Sequence, residues 1–114
     1  MSLIYKLLDR PAWEAAVAAG VFKGSAVDLT DGFIHFSTAA QAAETARRYF
    51  SGQTDLLLVA VSTASLGSAL RWEPSRGGDL FPHLYEPLPT AAAVFARPLA
   101  LGADGAPDVG TLAP

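Results

Sequence analysis

The 114-residue chain is 51% hydrophobic, with no Cys and two His, at positions 35 and 83; it fits one domain that buries roughly 65% of its unfolded surface. Without Cys there is no disulfide scaffold, thiolate nucleophile or cysteine zinc site, and no apolar run approaches the length of about 18 residues that spans a membrane. Eight Lys and Arg against eleven Asp and Glu give a formal charge of −3, which excludes a positive field for non-specific nucleic-acid binding but leaves room for a small anionic ligand in a local pocket.

The N-terminus lacks the charged-then-apolar layout of a secretory signal, so the expected location is the cytoplasm. Residues 3–8, Leu-Ile-Tyr-Lys-Leu-Leu, form a predicted first strand. Asp9 can cap a following helix with Pro11 in its first turn, Trp13, Ala16 and Val17 at helical spacing, and Gly20 as its stop. Residues 23–32 mix Lys, Gly, Ser, Asp and Thr and end in Asp31-Gly32, which predicts a long loop of the kind that often carries function. Phe33 to Phe36 is a predicted short strand. Thr38 and Gln41 have the spacing of a capping box, so a second helix is expected to run from there to about Phe50 and close at Gly52. Leu56 to Val61 is apolar on both alternations, as a central strand covered on two faces should be. Ala69 to Glu73 is the next predicted strand, Arg76 to Asp79 a Gly-rich loop, Phe81 to Tyr85 an extended segment, and Ala92 to Arg97 a last strand. Residues 102–114, which hold Asp104 and Asp108 and no base, lack periodicity and are expected to be a disordered tail after a single α+β domain over residues 1–101.

Strand alternation puts Phe33 and His35 on one face and Ile34 and Phe36 on the other. An imidazole there faces a cleft or finds a partner in the core, because burying it unpaired is costly. The adjacent helix start, with Ser37 and Thr38, offers N–H groups to an anion. Phe81, His83 and Tyr85 likewise share a face, and an imidazole between two aromatics suits a planar ring or a polarised oxygen. Glu73, Glu86 or Asp79 would supply a general base or a ribose-holding carboxylate. Arg71 and Arg76 are close enough in sequence to make a small basic patch with Lys6 or Arg47. Two His separated by 47 intervening residues, with no helical His pair, give no metal-ligand spacing.

Ile4-Tyr5-Lys6, Gly32 to Thr38, Arg71-Trp72-Glu73 and Gly77 to Tyr85 together, in that order and spacing, resemble the bacterial domain-of-unknown-function family 952. That family looks like a compact relative of the ADP-ribosyltransferase fold, in its RNA 2′-phosphotransferase branch. The resemblance implies a small ADP-ribosyltransferase-like α+β domain, with mixed or antiparallel sheets and two helices in the N-terminal half. It also implies a nucleotide cleft for a ligand of the NAD or ADP-ribose kind, and glycosyl or phosphoryl transfer. His35, His83 and Glu73 would then be catalytic, and Tyr5, Lys6, Ser37, Thr38, Arg71, Arg76 and Tyr85 ligand-binding. Lys6 stands where relatives often carry His; it can donate to a phosphate or ribose oxygen but cannot accept as an imidazole does. NAD would be a substrate, and no metal is implied. Two alternatives are a binding module on the same fold without turnover, and a two-histidine phosphoesterase. His35-Phe36-Ser37 fits one motif of the latter, whereas His83-Leu84-Tyr85 does not fit the other. The chain is expected to be a monomer or a weak dimer, the Ala-rich segment 91–96 being an edge that pairs with a second copy or is covered within one.

Overall fold

The computed structural model describes residues 2–114. Strand β1 (Leu3–Asp9) runs into helix α1 (Arg10–Ala19), where the Asp9 carboxylate accepts the Ala12 N–H at 3.1 Å. Pro11 sits in the first turn, where its missing N–H removes no helical bond. Gly20 ends the helix at φ 82°, a left-handed conformation that costs a residue without Cβ little. Short strand β2 (Val21–Phe22) follows, then helix α2 (Ala26–Asp31). This helix replaces the loop expected over 23–32, so the N-terminal half holds three helices and not two. Strand β3 (Ile34–His35) leads to helix α3 (Ala42–Tyr49). Only one half of the expected capping box forms, the Gln41 side chain accepting the Thr38 N–H at 3.0 Å, and α3 proper starts after a turn.

The second half is strands: β4 (Leu56–Ser62), β5 (Leu70–Pro74), β6 (Leu80–Leu84), β7 (Leu88–Pro89) and β8 (Ala93–Leu99). All pairings are antiparallel, in sheets of order β1-β4-β8, β3-β6-β5 and β2-β7. The two larger sheets touch where Tyr5 and Ser37 exchange backbone hydrogen bonds, each 2.8 Å.

Strand β4 is central, as its two-sided apolar pattern requires. Leu57, Val59 and Val61 face one core with Ile4, Leu8, Trp13, Phe22, Ile34 and Phe36. Leu58 and Ala60 face a second core with Tyr5, Leu7, Ala42 and Ala46. Alternation along β1 assigns Lys6 to the side of Ile4 and Leu8, so a lysine enters an apolar face and must find a counter-charge there.

The segment expected to be a disordered tail is packed. Ala106 and Val109 are buried, the latter in the second core. The Tyr5 hydroxyl donates to the Ala113 carbonyl, Arg97 donates to that of Val109, and Gly52 N–H bonds Gly105. Small residues without periodicity still close this core, because partners distant in sequence supply the hydrogen bonds that a helix or strand would make locally.

Candidate functional site

The register of β3 on β6 pairs Ile34 with Leu84 and His35 with His83. Ile34 and Leu84 are buried in the first core, so alternation turns both imidazoles to the opposite face. Their ring centroids lie 5.4 Å apart. Phe33 packs against both, at 4.5 Å from His35 and 4.1 Å from His83, and reaches the Tyr85 ring at 5.1 Å.

Each histidine has a carboxylate on Nδ1. For His35 it is Asp28, at 2.6 Å, on α2. This carboxylate is 1% exposed and also accepts the N–H groups of Ser25 (2.8 Å) and His35 (3.1 Å) and pairs with Lys6 Nζ at 3.0 Å. Burial alone would raise the Asp28 pKa; the bond from His35, the Lys6 charge and the two backbone donors outweigh it and hold the group at about 2. Burial pushes Lys6 below its ordinary value, against the pull of Asp28. Lys6 Nζ also donates to the His35 carbonyl at 3.0 Å. Its nitrogen is therefore engaged in holding β1, α2 and β3 together. A second carboxylate, Asp31, places Oδ2 2.9 Å from His35 Nε2.

For His83 the partner is Glu73 on β5, at 2.8 Å from Nδ1. The same oxygen accepts the Tyr85 hydroxyl at 2.7 Å. These two bonds hold the Glu73 carboxyl below the usual range and raise the Tyr85 phenol, so Glu73 is ionised and accepts the Nδ1 proton of His83. The Nε2 atom is then left as the ring's acceptor. Among the described residues no side chain bonds it, and no buried side-chain nitrogen or oxygen lacks a partner, so Nε2 reaches solvent.

His35 and His83 line a cleft of about 490 Å³, together with Asp31, Ser37, Thr45 and Arg76. Arg76 sits over the rings of Phe81 (4.7 Å) and Tyr49 (5.6 Å) and donates to Thr45 Oγ1 at 3.2 Å, which in turn bonds Ser37 Oγ at 2.8 Å. Of the expected ligand-binding residues, Lys6, Ser37 and Arg76 line this space, the Lys6 nitrogen being held there by Asp28 and the His35 carbonyl. Tyr5 borders it, but its hydroxyl is spent on Ala113. Thr38 does not line it. Arg71 stacks on Tyr85 at 4.7 Å and Arg47 binds Glu44, and neither lines the cleft, so of the basic patch expected of Arg71 and Arg76 with Lys6 or Arg47, Arg76 and Lys6 share this space. Glu86 and Tyr85 border a smaller cavity of about 220 Å³. Sequence reasoning missed Asp28, Asp31 and Thr45. Asp28 had a signal, since Ser25 and Asp28 have capping-box spacing; Asp31 and Thr45 had none. Among the described residues no group of three or more His, Cys, Asp or Glu is placed to hold a metal ion, and no helix is long and apolar enough to cross a membrane.

Two experimental structures of protein CC0527 from Caulobacter crescentus are similar over nearly the whole chain. The crystal structure is 54% identical, covers 95% of each chain and has a TM-score of 0.92. The solution NMR structure is 55% identical, covers 96% of this chain and 95% of that one, and has a TM-score of 0.87. No curated protein matches. The sequence pattern of the family described as protein of unknown function DUF952 matches residues 7–96, from β1 into β8. The chain therefore belongs to the DUF952 family.

Proposed function

We propose that the cleft binds a nucleotide-like ligand of the NAD or ADP-ribose type, on a fold related to the ADP-ribosyltransferases, and that the protein is a transferase acting on its glycosyl or phosphoryl group. The observation that carries this reading is the cross-strand pair of His35 and His83 at one cleft, their rings 5.4 Å apart. Groups that act on one ligand must each come within about 2.6–3.2 Å of it, which this spacing allows. The cleft volume lies in the range of small-molecule sites, about 300–1,000 Å³. Arg76 and the Ser37 and Thr45 hydroxyls supply donors for phosphate oxygens, and the aromatic rings of Phe81 and Tyr49 supply apolar faces. In transfer from a ribose, His35 would hold a ribose or phosphate oxygen and His83, oriented by Glu73, would take the proton of the incoming nucleophile.

One observation favours a second reading, capture of the same ligand without turnover. Cleavage of a nicotinamide–ribose bond develops positive charge on the sugar and needs a carboxylate beside it. Here Asp28 is committed to Lys6 and His35, Glu73 to His83 and Tyr85, and Asp31 to His35.

Calorimetric titration with NAD, ADP-ribose and a 2′-phosphorylated dinucleotide tests both. Binding of at least one is expected, and His35→Ala should abolish it; because the ring also bonds buried Asp28, the variant is compared at a temperature where circular dichroism shows it folded. No heat from any of the three at millimolar concentration would sink both readings. Release of nicotinamide or phosphate from a bound ligand separates turnover from capture.

A further inference from the structure

The two histidines share more than a cleft. Each is fixed through Nδ1 by a carboxylate, Asp28 for His35 and Glu73 for His83, and both rings lie against Phe33. Nδ1 is thereby the carboxylate-bound end of both rings, and both Nε2 atoms are the working ends. The ends differ. His83 Nε2 has no partner among the described residues, whereas His35 Nε2 has the Asp31 carboxylate 2.9 Å away. A ring with a carboxylate at each nitrogen is matched to the form that carries two N–H groups, and a ring with one carboxylate to the form with one N–H and one lone pair. Arg76 adds a guanidinium with no carboxylate within ion-pair distance among the described residues, held on aromatic faces and aimed at the same cleft.

We propose that His83 and His35 form a general base and general acid that act at phosphorus, so that the substrate class is a phosphodiester of a nucleotide. This rests on the nucleotide-binding reading above and narrows it from glycosyl or phosphoryl transfer to phosphoryl transfer. The chemistry needs a proton acceptor for the attacking oxygen and a proton donor for the leaving one, and the carboxylates serve only to orient and balance the rings. That is what the committed state of Asp28 and Glu73 allows, where ribosyl-cation chemistry would need one of them free. His83 Nε2 takes a proton from water as the water oxygen bonds to phosphorus. The bond from phosphorus to the ester oxygen breaks, its electron pair stays on that oxygen, and His35 Nε2 gives that oxygen its proton. The phosphorus ends as a monoester, and the two rings exchange their extra proton through solvent. Arg76 faces the non-bridging oxygens. Asp28 and Glu73 are positioning residues in this scheme.

The test uses the whole chain with 2′,3′-cyclic AMP and the dinucleotide ApA as probes, in EDTA, with products separated by chromatography. Conversion of the cyclic phosphate to a monophosphate is expected, and cleavage of ApA as well would place the diester in a polynucleotide. His35→Gln and His83→Gln should each lower kcat at least about 100-fold. His35 has a 30% exposed side chain, so its variant keeps the test independent of folding around buried His83. Glu73→Gln should lower kcat about tenfold or more with KM within about twofold, and should shift the ring-nitrogen NMR signals of His83 toward a tautomer mixture. No cleavage of either diester by the wild type would overturn the proposal. Nicotinamide release from NAD without diester cleavage would overturn it and leave the nucleotide-transferase reading standing, whereas no binding of any nucleotide would end both.

Discussion

Asp28→Ala is expected to cost about 3–5 kcal/mol, because it strips the counter-charge from a buried ammonium. Asp28 is 1% exposed and Lys6 8%, and the pair is 3.0 Å apart. The N–H groups of Ser25 and His35 lose their acceptor as well. A domain of this length holds roughly 6–17 kcal/mol in all, so the variant should still fold. Lys6→Met should cost less, about 1–3 kcal/mol, since the carboxylate keeps His35 and two backbone donors. Combining Asp28→Ala with Lys6→Met removes both charges, and its cost should fall short of the sum of the two single costs by at least about 1 kcal/mol. Urea unfolding followed by far-ultraviolet circular dichroism at neutral pH measures all of these. Strictly additive costs, or a loss below about 1 kcal/mol for Asp28→Ala, would refute the reasoning from the buried pair. The pH dependence is a second check. The Asp28 pKa is depressed in the folded state, from 3.8 to about 2. Its contribution is therefore present above the unfolded value and lost as pH falls through the folded one; it amounts to about 2 kcal/mol. Asp28→Asn should remove that part of the acid dependence, leaving the part due to Glu44, whose bonds from Arg47 and Arg48 also hold its carboxyl at about 2.

Three further outcomes follow from the packing. Gly24 has φ +124°, and an added Cβ would meet the Asp28 Cβ at 2.8 Å; Gly24→Ala should cost about 1–3 kcal/mol and lower the melting temperature. Ending the chain at Leu101 uncovers the second core and removes the carbonyls bonded by Tyr5 and Arg97, so a loss of about 2–4 kcal/mol is expected in urea. An unchanged midpoint would mean that residues 102–114 do not pack in solution. Leu58→Ala, at a fully buried position of the central strand, should cost about 2–5 kcal/mol by the same measurement.

Much of the architecture was legible from local physics. Asp9, Pro11 and Gly20 bound α1 because caps act within one turn, and the two-sided apolar run of β4 marked the sheet centre because each face of a central strand is covered. Alternation also placed His35 with Phe33, and His83 with Tyr85, on the correct faces. Helix α2 was not legible: its six residues bury one side chain, Asp28, and so carry no apolar period. The packing of residues 102–114 was missed for a related reason, since its contacts reach back to Tyr5, Gly52 and Arg97 and leave no local pattern.

The sequence by itself determined an α+β chain with two histidines in short extended segments, each beside a loop or a helix start, because periods, caps and turn residues are properties of neighbours. Tertiary structure alone decided that those histidines are register partners, and that Lys6 is the counter-ion of Asp28. It also decided that Asp28 and Glu73 fix the two rings. Strand register and charge pairing join residues 7 to 48 positions apart. Which of the available carboxylates meets which base depends on how the sheets fold onto one another, and no local pattern records that choice.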